Sequence, residues 1–331
     1  MKKFTEVYTR AKDTLAGQQF ESGWQTFLTT SCNIKTLLAP EGFAAASAGG
    51  LDKLRAKIKT DATGTQTVGK VILTAAQATG GSLQDRAATL KMLSNTYLVQ
   101  RSGGQTVWVY SPLKQFGGWI FDEIVGSPEV IEPKLSATEE IFSDDEMGWM
   151  ATALKQALKI SEDAKIKLAA PSADTKAMVK RWFGDEDSTD TDVTTFIGKL
   201  SDGFKKIAVA CGSGTLVFTD YADWRAQRDK YFGGAIRGGE GGGFPVIYLE
   251  GAFTRLTGNT GKQWLCVETI VHEFSHHEVK TRDHRYDSSG LKPSKGTFPA
   301  EKAIDNADSW GYFALDLAGL LSEADRTKTL K

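Results

Sequence analysis

Cysteine is scarce in this chain: Cys32, Cys211 and Cys266 are the three in 331 residues, odd in number and far apart. That spacing excludes a readable disulfide framework and a CxxC-type metal site, and predicts buried free thiols. Long apolar runs are missing as well. None approaches the roughly 20 residues that a membrane-spanning helix needs, so no membrane partner is expected. Excess charge of either sign is absent, the formal net charge being −1, and nothing draws the chain toward nucleic acid. The opening Met1-Lys2-Lys3-Phe4-Thr5-Glu6-Val7 lacks the apolar centre of a secretory signal. The expected location is therefore cytoplasmic, or exported without a classical cleaved signal peptide. No internal repeat is present. What remains is 40% apolar and 24% charged, the composition of a soluble globular protein long enough for two domains.

The pattern along the chain predicts a division near residue 135. Residues 1–135 are expected to form a separate α/β region. Phe4, Val7, Ala11 and Leu15 recur at helical spacing, small residues over Phe43–Gly50 predict a loop, and a further helix is expected near Leu51–Ile58. Tyr97–Arg101 and Thr106–Tyr110 flank Ser102-Gly103-Gly104-Gln105 as a β-hairpin, and the prolines of Gly126–Leu135 predict a linker. No chemical motif occurs in this region. After it, Ser143-Asp144-Asp145-Glu146 is a capping box opening a helix with Met147, Met150, Leu154 and Leu158 inward. A second helix is predicted to stop at Gly184 and a third to span Asp192–Lys206, with strands at Ile207–Cys211 and Thr215–Thr219. Gly238–Gly243 lacks the Lys-Ser/Thr of a phosphate loop and predicts a mobile loop. Val246–Glu250 predicts a strand whose edge would suit an extended peptide.

All four histidines fall between positions 272 and 284, and two lie in His272-Glu273-Phe274-Ser275-His276. This is the HExxH pattern of zinc hydrolases. Spacing i, i+4 on a helix stacks both imidazoles on one face, with Glu273 beside them to take a proton from a metal-bound water. Trp264, Val267, Ile270, Val271 and Phe274 supply the apolar face of that helix. A catalytic zinc needs a third protein ligand. A glycine three and a histidine six residues after His276 would supply it in one scheme, but Val279 and Arg282 stand there. Glu301 is the candidate of a second scheme, and Asp283 of a third.

Here the sequence resembles a known family. Thr281, Asp283 and Tyr286 in Thr-x-Asp-x-x-Tyr, followed by Asn306-Ala307-Asp308-Ser309 and Tyr312-Phe313, are similar to the aspzincins, which include deuterolysin and the peptidyl-Lys metalloendopeptidases. The resemblance implies an α+β fold: a zincin-type metalloprotease domain over 136–331, mostly helical with a small sheet, after the separate N-terminal region. It implies one Zn2+ per chain held by His272, His276 and Asp283, with Glu273 as general base and Tyr286 stabilising the oxyanion. In the lysine-specific branch an aspartate and a glutamate three residues later bind the substrate's lysine. Here those positions hold Asp308 and Gly311, so a broader preference for Lys or Arg at P1′ is expected. Lys280 and Asp287 also replace the glycines that usually flank the Thr-x-Asp-x-x-Tyr segment.

The resulting expectation is a zinc-dependent endopeptidase acting on protein or peptide substrates. Two alternatives belong to other classes: a degenerate zincin domain that binds proteins without cutting them, and a zinc hydrolase of a non-peptide bond. The complete pair Glu273 and Tyr286 argues against the first. His277 is expected to face solvent or support a ligand, His284 to be a weaker ligand candidate than Asp283, and Glu268 to orient His272 or lie exposed. The N-terminal region is expected to regulate the protease, as a prodomain would, or to bind a regulatory or delivery partner.

Overall fold

The computed structural model describes residues 2–32, 34–39, 48–77, 81–100, 105–241, 245–259 and 262–331. The fold is α+β, mostly helical around one five-stranded sheet. Its strands are β1 (Thr96–Gln100), β2 (Thr106–Tyr110), β3 (Val217–Thr219), β4 (Gly233–Gly234) and β5 (Val246–Leu249), in the order β1-β2-β3-β5-β4. β1 and β2 form the expected antiparallel hairpin with Thr96 opposite Tyr110. Residues 101–104 of its turn, and most of the loop expected over Phe43–Gly50, lie outside the described residues. β2 then pairs in parallel with β3 (Trp108 with Val217), and β3 with β5 (Val217 with Val246). The sheet therefore takes strands from both sides of residue 135.

Alternation along each strand sends successive side chains to opposite faces. Val107, Val109, Phe218, Ile247 and Leu249 enter one core. Trp108, Tyr110, Val217, Val246 and Tyr248 enter the other. Helices of the first 135 residues cover that second face, among them α1 (Phe4–Gly17), whose Phe4, Val7, Ala11 and Leu15 are all buried, and α2 (Leu83–Ser94). The expected linker is instead α3 (Pro128–Ser136). Pro128 sits in its first turn, where a missing N–H breaks no hydrogen bond, and Ile131 and Leu135 are buried one turn apart.

The first face is covered by α4 (Asp144–Ala169), α5 (Ala173–Phe183) and α6 (Asp190–Cys211). Two later helices complete this layer, α7 (Gln263–Phe274) and α8 (Ala307–Leu317). α4 opens with the predicted capping box: Ser143 Oγ accepts from the Glu146 N–H at 3.2 Å, and the Glu146 carboxylate accepts from the Ser143 N–H at 2.7 Å. The strand expected at Ile207–Cys211 is the end of α6. Ile207, Ala208, Ala210 and Cys211 are buried there while Val209 is exposed, so packing on one helical side overrides their β preference. The glycine stretch is tethered where it is described. Gly238 N–H donates to the His276 carbonyl at 3.0 Å, and Glu240 accepts from Thr5 and from the Tyr248 hydroxyl. Residues 242–244 lie outside the described residues.

Candidate metal centre

α7 runs from Gln263 to Phe274 with its apolar side in the first core, leaving His272, Glu273 and His276 on the side that faces a cleft. Its end widens into a π turn, Ser275–Val279, and stops at Lys280, whose φ of 69° is left-handed. Lys280 is the one described non-glycine residue with positive φ. A side chain there costs about 1–2 kcal/mol, which gives a physical reason for a glycine at this position. The reversal is pinned by the Thr281 N–H on the Ser275 carbonyl (3.2 Å) and by the two hydroxyls of Ser275 and Thr281 (2.6 Å). It carries Asp283 back over the histidines within the short connection the sequence allows.

His272 Nε2 and His276 Nε2 lie 3.1 Å apart, and Asp283 Oδ1 is 3.2 Å from each. The other ring nitrogens are engaged: His272 Nδ1 meets Asp308 Oδ1 at 2.8 Å, and His276 Nδ1 meets the Thr281 carbonyl at 2.9 Å. With each Nδ1–H donating outward, both Nε2 lone pairs and a carboxylate oxygen point at one spot. Three acceptors so arranged call for a cation. Donors on a tetrahedral zinc with bonds near 2.0 Å stand about 3.3 Å apart, so the residues fit this ion.

The remaining groups surround this point. Glu273 is buried, with Oε1 4.0 Å from His272 Nε2 and Oε2 without a hydrogen-bond partner among the described residues. Burial raises its pKa, although the two histidines pull the other way. Burial also works against a charged His272, but hydrogen bonds to Asp283 and Asp308 outweigh it and raise the pKa. The same pairing holds the Asp283 carboxyl far below its usual range against its own burial. Tyr286 is half-exposed on the cleft wall, its phenol pushed up to about 12 by burial and by the neighbouring Asp283.

The cleft has a volume of about 750 Å³ and is walled by Trp224, Tyr231 and Phe232 on one side and by Tyr286, Asp287 and Tyr312 on another. β4 lies along it. That short edge went unseen in the sequence because two glycines carry no strand pattern, and the edge expected from Val246–Glu250 is instead enclosed between β3 and β4. A Cβ on Gly233 would lie 2.7 Å from the Tyr248 carbonyl and 3.3 Å from Glu273 Oε1, so glycine lets the strand approach the site.

The other candidates are placed elsewhere. Glu301 is exposed on the short helix Ala300–Ala303 and does not line the cleft. His284 pairs with Asp305 at 2.9 Å and His277 with Glu278 at 2.7 Å. Asp308 orients His272, the part suggested for Glu268, whose Oε1 is 4.0 Å from that ring. Gly311 does not line the cleft, because the Glu268 side chain lies over it. Asn306 organises the ligand loop by accepting the His284 and Arg285 N–H groups at 2.9 and 2.8 Å.

Residues 168–315 match a family model, that of the aspzincins, described as lysine-specific metallo-endopeptidase. No curated protein matches the chain. Among solved structures, a zinc peptidase from Grifola frondosa is similar at 22% identity, over 52% of this chain and 96% of its own, with a TM-score of 0.39.

Proposed function

Starting from residues 168–315 as an aspzincin metalloendopeptidase segment, we propose that the chain hydrolyses peptide bonds with a water activated by Glu273 beside one zinc per chain. His272, His276 and Asp283 would hold that ion. The observation that carries this reading is the convergence of His272 Nε2, His276 Nε2 and Asp283 Oδ1 within 3.1–3.2 Å of one another. A bound zinc supplies Lewis acidity there, bringing the pKa of water to about 7 and polarising a peptide carbonyl.

The chain's own groups do the rest. An extended substrate adds to the free edge of β4, where main-chain hydrogen bonds align it along the cleft. Glu273 Oε2, unpartnered and raised in pKa, takes a proton from water and delivers it to the departing amine nitrogen. Tyr286 keeps its phenolic proton at neutral pH and donates it as a hydrogen bond to the carbonyl oxygen as negative charge builds. Asp308 holds His272 in the tautomer that presents Nε2. The carboxylates along the cleft favour a basic residue after the cut bond. Residues 1–135 act as the layer covering the far face of the sheet. Digestion of a peptide library with and without a chelator tests the proposal: cleavage that chelator abolishes and zinc restores is expected, and a library left intact by the zinc-loaded protein refutes it.

A further inference from the structure

We propose that residues 116–123 position the substrate-binding wall of the cleft through a column of aromatic rings, with Trp119 and Arg225 as positioning residues, an assignment that rests on the peptidase reading above. The column is continuous. The Trp119 ring meets Tyr221 edge-on with centroids 5.7 Å apart, Tyr221 lies 5.0 Å from Trp224, and Trp224 stacks on Tyr231 at 4.8 Å with the planes 22° apart. Trp119 is buried in the layer built by the first 135 residues, whereas Trp224 and Tyr231 line the cleft. Tyr221 also meets the Tyr248 ring edge-on at 5.0 Å, which stands the column on β5. Rings packed this closely prefer a few mutual orientations, so a shift of one is passed to the next.

The segment that bears Trp224 has little else to hold it. It is a 3-10 helix, Ala222–Lys230, bent at Gln227, and Ala222 is its one buried residue. Arg225, next to Trp224, anchors it to the same stretch that carries Trp119. Its Nη1 is shared among the carbonyl oxygens of Phe116 and Gly118, at 2.6 and 2.7 Å, and Glu123 Oε1 at 3.1 Å, while Nε and Nη2 pair with Asp220. Glu123 also accepts from the Gly118 N–H at 2.7 Å, which fixes the turn that presents those carbonyls. On the cleft side the Trp224 ring lies against β4: a Cβ on Gly234 would stand 2.9 Å from both Cη2 and Cζ3. Trp224 thus sets how the free edge of β4 meets a bound peptide, and residues 116–123 set Trp224. Trp119 and Arg225 do not line the cleft themselves, so their effect on substrate passes through that ring.

The test uses the full zinc-loaded chain and a peptide long enough to lie along β4. Trp119→Leu, which keeps an apolar side chain in place of the ring, should raise KM by about 2- to 12-fold, the worth of one well-placed aromatic pair, with kcat and zinc content as in wild type. Trp224→Ala should raise KM as well, and the two changes together should raise it no further than Trp224→Ala alone, because Trp119 acts through that ring. Arg225→Lys, which keeps the charge but loses the planar fork, should behave as Trp119→Leu does. Calorimetry in the Glu273→Gln background, where no peptide is cut, should give the same order in Kd. KM effects that multiply in the Trp119→Leu and Trp224→Ala pair overturn the proposal, as does an unchanged KM in both positioning variants, or a fall in kcat and zinc content at unchanged KM. Variants at 119 and 225 that both fail to fold assign these residues to stability alone and overturn it too. Each of these results leaves the peptidase reading standing while wild type cuts the peptide; wild type that cuts no peptide removes both.

Discussion

Cutting the chain at residue 135 should unfold the catalytic half rather than release it. A fragment of 136–331 loses β1 and β2, exposing the edge of β3, and uncovers Val217, Tyr221, Val246 and Tyr248, all at most 2% exposed in the whole chain. Direct contacts to these residues are lost as well. The Phe4 N–H no longer reaches the Tyr248 hydroxyl (2.9 Å), and Trp119 no longer packs edge-on against Tyr221 at 5.7 Å. Burying a large apolar side chain contributes about 1.5–3 kcal/mol, so these four alone represent about 6–12 kcal/mol. That equals the whole stability of an ordinary domain, about 5–15 kcal/mol. The fragment should therefore express insolubly or bind hydrophobic dyes, lack a cooperative thermal transition and hold no zinc. Far-ultraviolet circular dichroism, a thermal melt and metal analysis read these outcomes. A soluble fragment that melts cooperatively and cuts peptides at least as fast as the full chain would refute the shared-sheet reasoning and favour a detachable inhibitory module.

Further expectations follow from the site. Asp283→Ala should lose zinc while Glu301→Ala keeps it, and metal analysis in the reverse order would transfer the third ligand to Glu301. Glu273→Gln should bind zinc with almost no turnover, and Tyr286→Phe should lower kcat by about 10- to 1,000-fold; an unaltered kcat in the tyrosine variant would mean that another group stabilises the oxyanion. Glu250 is fully buried and its carboxyl is raised by burial, with Asp220 adding to the effect, from an ordinary 4.5 to about 8. Because its folded pKa is the higher one, its contribution to stability is full below about 4.5 and is lost as pH rises toward 8. Glu250→Gln, which keeps an acceptor for the Tyr221 N–H, should gain stability over wild type between pH 5 and 8. Parallel denaturation curves across that range would rule this out.

The clustering at the candidate metal centre was legible because it depends on local spacing: His272, Glu273 and His276 need only a helix to meet, and Asp283 needs only a tight reversal. The helices with capping boxes were legible for the same local reason. What escaped the sequence depends on distant packing. Ile207–Cys211 has strand-like composition, but its buried neighbours lie on one helical side. The prolines of Gly126–Leu135 signal a break, yet Pro128 sits in the first turn of α3 and Pro133 lies inside the same helix, which buries Ile131 and Leu135. Glu268 falls beside His272 by spacing on α7, whereas the Asp308 contact with that ring depends on how α8 packs against α7.

The parallel pairing of Trp108 with Val217 also governs the order in which the molecule can assemble. The hairpin of β1 and β2 forms from neighbouring residues, but it gains its third strand only after α4, α5 and α6 have been made. Closing so long a loop precedes any reward from contact, which places such pairings late on the folding path. Until then the edge of β2 that receives β3 is open, a feature that invites association with other unfinished chains. The proteolytic centre, built on helices that lean against this same sheet, comes into register only at the end of that sequence. A nascent molecule thus passes through its most aggregation-prone stage before it is able to cut anything.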